Sequence, residues 1–223
     1  MRVLTIDTAG PRCAVGLFDV AATARTLATR SEPMARGHAE ALLPMVEAVM
    51  AEAGADWPRL DRIAVVSGPG SFTGVRIGIA AARGLALAAG CPAVGISAFA
   101  ARAAGILARP LAVMLDARRG EVCAQVFFDG APPAPPAVLA VSAAPEILPP
   151  PVSSLAGSGA PAVASAGRAV GRTFRVLCDA GDIDLAATAI LAAGADPARS
   201  PATPLYLRPP DAKPQTGARI ARR

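Results

Sequence analysis

Apolar positions along the chain fall into two regimes: short dense runs, and longer stretches at helical spacing. Residues 3–7 read as a strand ending in an acid and 13–18 are apolar nearly throughout; flanking the turn-forming stretch TAGPR at 8–12, they are predicted to pair as an antiparallel hairpin, with 23–31 a weaker third strand. From 38 to 53, Leu42, Met45, Val46, Val49 and Ala53 recur at helical spacing, and Pro44 is expected to kink this helix or mark its effective start. Residues 54–58 read as loop and 63–67 as a buried strand. An alanine-rich helix follows over 73–89, with Ser71 or Thr73 as its N-cap. A strand at 93–96 and a helix at 98–107 complete the first half. Residues 111–115, ending in Asp116, and 122–128 then repeat the opening plan of strand, acid, short polar turn and strand. The stretch 129–151, dominated by proline and alanine, has no strong period and reads as loop or lobe edge. Residues 152–156 read as a strand turned by GSG at 157–159, and 184–193 as a helix capped near Asp184. The expected architecture is α/β with mixed sheets flanked by helices, in two related lobes at 1–108 and 109–200, followed by an extended basic tail at 201–223.

One stretch organises this plan, SGPGSFTGVRIG at 67–78. It lies where a buried strand turns into a helix, and four glycines in eleven residues (Gly68, Gly70, Gly74, Gly78) carry a backbone-entropy cost that a special turn, a close approach or a ligand must offset. As a phosphate loop it lacks parts. Val75 and Arg76 stand where a P-loop needs Lys and Ser/Thr, the glycines read G-x-G-x-x-x-G, and Pro69 removes one cradle amide. The remaining amides at the helix start can still hold an anion weakly. The alternative is a tight turn, with Gly74, Gly78 and Ala82 forming a small-residue face for close packing.

Composition narrows the function classes. The chain is 53% apolar, which is ample for a sizeable core, and carries a net charge of +5 from 21 arginines and a single lysine, Lys213, so no lysine lies near a glycine-rich turn. From residue 205 onward Arg208, Lys213, Arg219, Arg222 and Arg223 oppose only Asp211, so most of the basic excess sits in the tail. Such a tail is either a solvated terminus or a contact for RNA or acidic protein. Cys13, Cys91, Cys123 and Cys178 have no metal-type spacing and the start of the chain does not read as a signal peptide, which points to a reduced, cytoplasmic protein with idle thiols. Residues 84–101 carry no charge, but GCP at 90–92 breaks them, so helix end, turn and strand are expected there rather than a membrane span.

Two enzymatic readings need testing against residues. His38 is the only histidine; a triad would pair it with Ser71, which is not in a nucleophile elbow, and a zinc helix would need a second histidine where Leu42 stands. Asp7 and Asp116 end equivalent strands, and with Thr8 they could line one Mg²⁺-nucleotide cleft; Asp116 can instead pair with Arg118 or Arg119.

LTIDT at 4–8, GHAEALLP at 37–44, SGPGSFTGVRIG at 67–78, DARRGEV at 116–122 and PLYLR at 204–208 fall in order along the chain. Together they resemble the TsaB (YeaZ) family of bacterial tRNA threonylcarbamoyladenosine biosynthesis proteins, most strongly over 1–97. The resemblance implies the two-lobed actin-like (ribonuclease H-like) fold and grouping with the glycoprotease family. It also implies a non-catalytic paralogue, and no catalytic or metal-binding residue, of the transferase TsaD, which modifies adenosine 37 of tRNAs reading ANN codons. TsaD and, through it, the ATPase TsaE are the implied partners. A homodimer is implied for the chain alone, with tRNA met indirectly or through the tail. No cofactor is implied as required; ATP or ADP with Mg²⁺ at Asp7, Thr8 and Asp116 is the ligand an actin-like cleft would take. The pairing surface would lie on the first two long helices: Leu42, Met45, Val46 and Val49 on one, Gly74, Ile77, Gly78 and Ala81 on the other. Gly68, Pro69, Gly70, Ser71, Thr73 and Arg76 would build the turn that launches the second helix. The competing class is a nucleotide phosphotransferase or peptidase-like enzyme.

Overall fold

A computed structural model describes residues 1–179 and 183–207. Two five-stranded mixed sheets carry the fold. In the first, β1 (Arg2–Asp7), β2 (Arg12–Val20) and β3 (Ala24–Pro33) form the expected antiparallel meander. β4 (Arg62–Val66) and β5 (Ala93–Ile96) extend it in parallel, giving the order β3-β2-β1-β4-β5. In the second, β6 (Leu111–Asp116), β7 (Glu121–Phe127) and β8 (Ala137–Ala140) are antiparallel. β9 (Ser154–Ala156) and β10 (Arg175–Cys178) run parallel to β6, giving β10-β9-β6-β7-β8. Each sheet is therefore a hairpin-plus-strand meander followed by two parallel strands, and Asp7 and Asp116 close equivalent strands.

The helices follow the same duplication. α1 (His38–Glu52) and α2 (Phe72–Ala89) connect β3 to β4 and β4 to β5; α4 (Ala144–Ile147) and α5 (Ala160–Ala169) make the matching connections in the second half. α3 (Ala98–Ala104) packs against β6 and β7, and α6 (Leu185–Gly194) packs on the first sheet and on α3. The 109–200 stretch is thus divided by its packing. Residues 111–179 build the second sheet, whereas α6 returns to the first, where Ala189 and Ala192 bury with Val3, Phe18, Ala64 and Val94. The tail also begins inside the fold. Pro201 bridges to Val94, the Gly95 amide donates to the Ser200 carbonyl (3.0 Å), and the Leu205 amide donates to the Ser67 carbonyl (2.8 Å). Residues 208–223, which hold the tail's basic residues, lie outside the described residues.

A single apolar cluster joins the halves, running from Leu4, Ile6 and Leu17 through Phe99 of α3 to Leu111, Val113 and Leu115. A second cluster, with Met114, Val122, Leu155 and Val163, fills the far side of the second sheet. α2 has the length and composition of a membrane span, but Val75, Ile79, Ala82 and Ala86 bury against the rest of the fold. The uncharged stretch at 84–101 is the end of α2, a turn, β5 and the start of α3, as its break at 90–92 requires.

Caps decide several boundaries. α2 begins at Phe72 because the Ser71 hydroxyl accepts from the Gly74 amide (3.3 Å); Thr73 is not the cap. α1 starts at His38 after left-handed Gly37 and runs through Pro44 rather than starting at it. Arg62, buried on β4, donates through Nη1 to the carbonyls of Ala192, Ala193 (3.3 Å) and Ala195 (2.6 Å), closing the C-terminal end of α6. Arg62→Met leaves those carbonyls unpaired. The expected cost is about 2–3 kcal/mol, read as a lower midpoint in urea unfolding.

Candidate functional site: the glycine turn and the two adjacent helices

The glycine turn is a packing device. Ala9 accepts from the Ser71 amide (2.8 Å), and a Cβ on Gly70 would overlap that same Ala9 carbonyl. A Cβ on Gly74 would strike the Thr8 carbonyl, and one on Gly78 the Thr8 hydroxyl; that hydroxyl donates to the Gly74 carbonyl at 2.7 Å. The first turns of α2 therefore sit directly on the β1–β2 turn. Gly74 and Gly78, expected on the pairing surface, instead face Thr8: their missing side chains are the room that this chain's own hairpin occupies.

The same contact involves one of the nucleotide candidates. Thr8 is fully buried, and its hydroxyl is spent on Gly74. Asp7 is 4% exposed and accepts from the Ala9 amide (2.8 Å). Asp7 lines a groove of about 450 Å³ with Arg12, Ser31 and Asp184, whose walls do not include Asp116. Asp116 is exposed, accepts from the Arg118 amide (2.9 Å) and lies 3.9 Å from its guanidinium, the pairing that was the alternative reading. The backbone of Gly70 and Gly74 packs directly on Ala9 and Thr8, so the space beside Thr8 at the start of α2 is filled by this chain itself.

The peptidase candidates are not assembled either. The Ser71 hydroxyl serves as the helix cap, and His38 is buried with Nε2 lacking a hydrogen-bond partner among the described residues. No three His, Cys, Asp or Glu side chains converge as a metal site among the described residues. All four cysteines are free, with Cys13 and Cys123 buried. Burial, with the Asp7 and Glu32 carboxylates nearby, pushes the Cys13 thiol up from 9.0 to about 11. Ionisation is therefore harder in the folded state than in the unfolded one. This contribution to stability is complete below pH 9 and is lost as pH rises towards 11. Cys13→Ala is expected to flatten the alkaline limb of a stability–pH curve, checked by denaturant titration.

Helices α1 and α2 pack side by side, and the structure sorts the pairing candidates by exposure. Leu42, Met45, Val46 and Val49 are at most 5% exposed and belong to the chain's own core. The helical stripe expected to meet a partner is the stripe that seats α1 beside β2 and β3. Ile77 and Ala81 are half-buried at the rim. The outward side of α2 continues through Ala80, Gly84 and Leu87, which is 86% exposed, and α1 exposes Leu43 (49%) and Pro44. Leu43 and Met50, apolar beyond the main stripe of α1, suggest from sequence a second face for a partner helix; the structure leaves Leu43 open and buries Met50 in the chain's own core, and sequence reasoning missed Leu87 altogether. The signal for Leu87 was its place off the Val75–Ile79–Ala82–Ala86 stripe.

Sequence reasoning also did not foresee the group at the start of α2. The Arg76 guanidinium lies 3.6 Å from the centre of the Phe72 ring, and its Nε donates to the Tyr206 hydroxyl (2.7 Å). The two rings stack with centroids 5.7 Å apart.

Comparison with known proteins fits this architecture. A family model for the tRNA N6-adenosine threonylcarbamoyltransferase TsaD matches residues 27–131. The tRNA threonylcarbamoyladenosine biosynthesis protein TsaB of Escherichia coli is 40% identical over 126 residues, 55% of this chain and 53% of that protein, so the match spans about half of that relative. An uncharacterised protein of Mycobacterium tuberculosis is 36% identical over 215 residues, 95% of this chain and 94% of its own length. The solved structure of YeaZ from Pseudomonas aeruginosa superposes with a TM-score of 0.70 at 30% identity, covering 92% of this chain and 99% of that one. With the duplicated sheet plan and near-complete coverage of a solved homologue, the chain belongs to the TsaB (YeaZ) family of tRNA threonylcarbamoyladenosine biosynthesis proteins, with its actin-like fold.

Proposed function

We propose that this chain is the non-catalytic scaffold subunit required for threonylcarbamoylation of adenosine 37 in ANN-reading tRNAs, acting in the cytoplasm. Its partner is a TsaD-like transferase, and through that pair it engages a TsaE-like ATPase; alone, it forms a homodimer through the same surface. The observation that carries this reading is the outer side of α1 and α2. Their inner faces are consumed by the chain's own core, yet Leu43, Ile77, Ala81, Gly84 and Leu87 leave an apolar, small-residue exterior on adjacent helices. Such a face lets a partner helix approach closely, and its burial would remove Leu87 from water.

The test is co-purification of the full chain with the TsaD-like protein of the same organism, followed by a transfer assay. The complex is expected to form, and the chain alone is expected to transfer nothing. Leu87→Asp should weaken association at least tenfold while melting within a few degrees of the parent chain. Autonomous transfer by the chain alone contradicts the scaffold reading. Association untouched by both Leu43→Asp and Leu87→Asp contradicts the assigned surface.

A further inference from the structure

The chain has eight aromatic residues, six Phe, one Trp and one Tyr. Phe18, Phe99 and Phe174 are buried, while Trp57, Phe127 and Phe128 are partly buried. The two exposed ones, Phe72 (49%) and Tyr206 (47%), are the two that stack on each other. They come from distant parts of the chain, and the strap from Ser200 to Leu205 along β5 and Ser67 is what delivers Tyr206 to the start of α2. Arg76 holds the pair together through its ring contact with Phe72 and its bond to the Tyr206 hydroxyl, and its two terminal nitrogens carry no hydrogen bond among the described residues.

The surroundings are polar rather than aliphatic. Gly70, Ser71 and Thr73 are the exposed neighbours in sequence, and α2 presents the positive end of its dipole here. Directly beyond Leu207 the sequence carries Arg208, Lys213, Arg219, Arg222 and Arg223 against Asp211. An apolar protein partner would gain little from two half-open rings set among hydroxyls. A ring pair edged by a guanidinium whose terminal nitrogens carry no hydrogen bond among the described residues, in a chain whose sequence after Leu207 is polycationic, matches a ligand with both π-faces and phosphates, which is single-stranded nucleic acid.

We infer that Phe72, Arg76 and Tyr206 form a stacking site for an unpaired base of RNA. The rings receive the base, and the terminal nitrogens of Arg76 donate to its carbonyl edge or to the adjoining phosphate. The choice of RNA over DNA rests on the proposed function; the stacking site itself does not.

The test is fluorescence anisotropy of the full chain with a labelled RNA hairpin that has a single-stranded loop, competed by a loopless RNA duplex. The hairpin is expected to bind more tightly than the duplex. Phe72→Ala with Tyr206→Ala should weaken hairpin binding by about tenfold or more without changing its salt dependence, because base stacking is lost and phosphate contacts remain. Tyr206→Phe keeps the ring and should stay within about threefold, which separates stacking from the hydroxyl's structural bond. Ending the chain after Leu207 should instead reduce the salt slope. Parent-like hairpin affinity in the double alanine variant overturns the inference, as does a parent chain that fails to bind the hairpin or binds the duplex equally well. Loss of co-purification with the transferase in that variant, with RNA binding intact, would make the ring pair a protein contact and also overturns it. Ring-dependent RNA binding in a chain that tRNA modification does not require would leave this inference standing while the proposed function fails.

Discussion

Val46→Asp is expected to unfold the protein, whereas Leu43→Asp, three residues earlier on the same helix, is expected to leave it folded. Val46 is 1% exposed and packs in the core with Leu42, Met45 and Val49. A carboxylate there must lose its water without a partner, or take up a proton and remain an unpaired polar group. Either route costs about 5 kcal/mol or more, comparable to the whole stability of an ordinary domain. Leu43 is 49% exposed, so its replacement costs about 0.5 kcal/mol. Far-UV circular dichroism and a thermal melt read both. A folded, normally melting Val46→Asp would mean that α1 turns its Val46 side outward and that the assignment of inner and outer faces is reversed.

The second large effect separates two kinds of glycine on α2. Gly74→Ala places a methyl group into the Thr8 carbonyl, and neither backbone can retreat without breaking the bond from the Thr8 hydroxyl to the Gly74 carbonyl. The expected loss is about 3 kcal/mol, a fall in melting temperature on the order of 6–12 °C for a chain of this size. Gly84, on the same helix, has nothing within 4 Å of a built Cβ. Gly84→Ala should therefore stabilise by about 0.5–1 kcal/mol through helix propensity alone. Equal effects at the two positions would show that helix propensity, rather than the close approach to Thr8, governs Gly74.

Much of the first half was legible because its elements alternate between dense apolar runs and helical spacing, with Pro and Gly at the joints. The β1–β2 hairpin, the α2 launch at Ser71 and the repeat of strand and acid at Asp116 all follow from that. The second half was less legible for a physical reason. β8 lies in the stretch at 129–151, where alanine and proline blur the contrast between faces. α5 buries Ala160, Val163, Ala164 and Gly167, a stripe too small in side-chain volume to register as amphipathic, and Pro161 at its first turn reads as a breaker although that position tolerates it. β10 is an edge strand with half-buried residues, so it lacks the continuous apolar run that marks β4 or β6.

At the site, periodicity found the correct apolar stripe on α1 but could not say which side of the chain's own sheet it meets. An apolar stripe looks the same whether it faces a core or a partner, and the sheet claimed this one. The glycine spacing likewise identified a close approach without naming its occupant, which is Thr8. The pairing of Phe72 with Tyr206 depends on a strap between positions 130 residues apart at Arg76 and Tyr206, and no local pattern encodes it.

On the proposed function, this chain is required for tRNA threonylcarbamoylation without performing the transfer. The most direct test is the threonylcarbamoyladenosine content of tRNA nucleosides, measured by mass spectrometry in cells depleted of the protein and complemented with either the parent chain or Leu87→Asp. Loss of the modified nucleoside is expected on depletion, with full recovery by the parent chain and poor recovery by Leu87→Asp. Unchanged threonylcarbamoyladenosine in the depleted cells would contradict the proposed function.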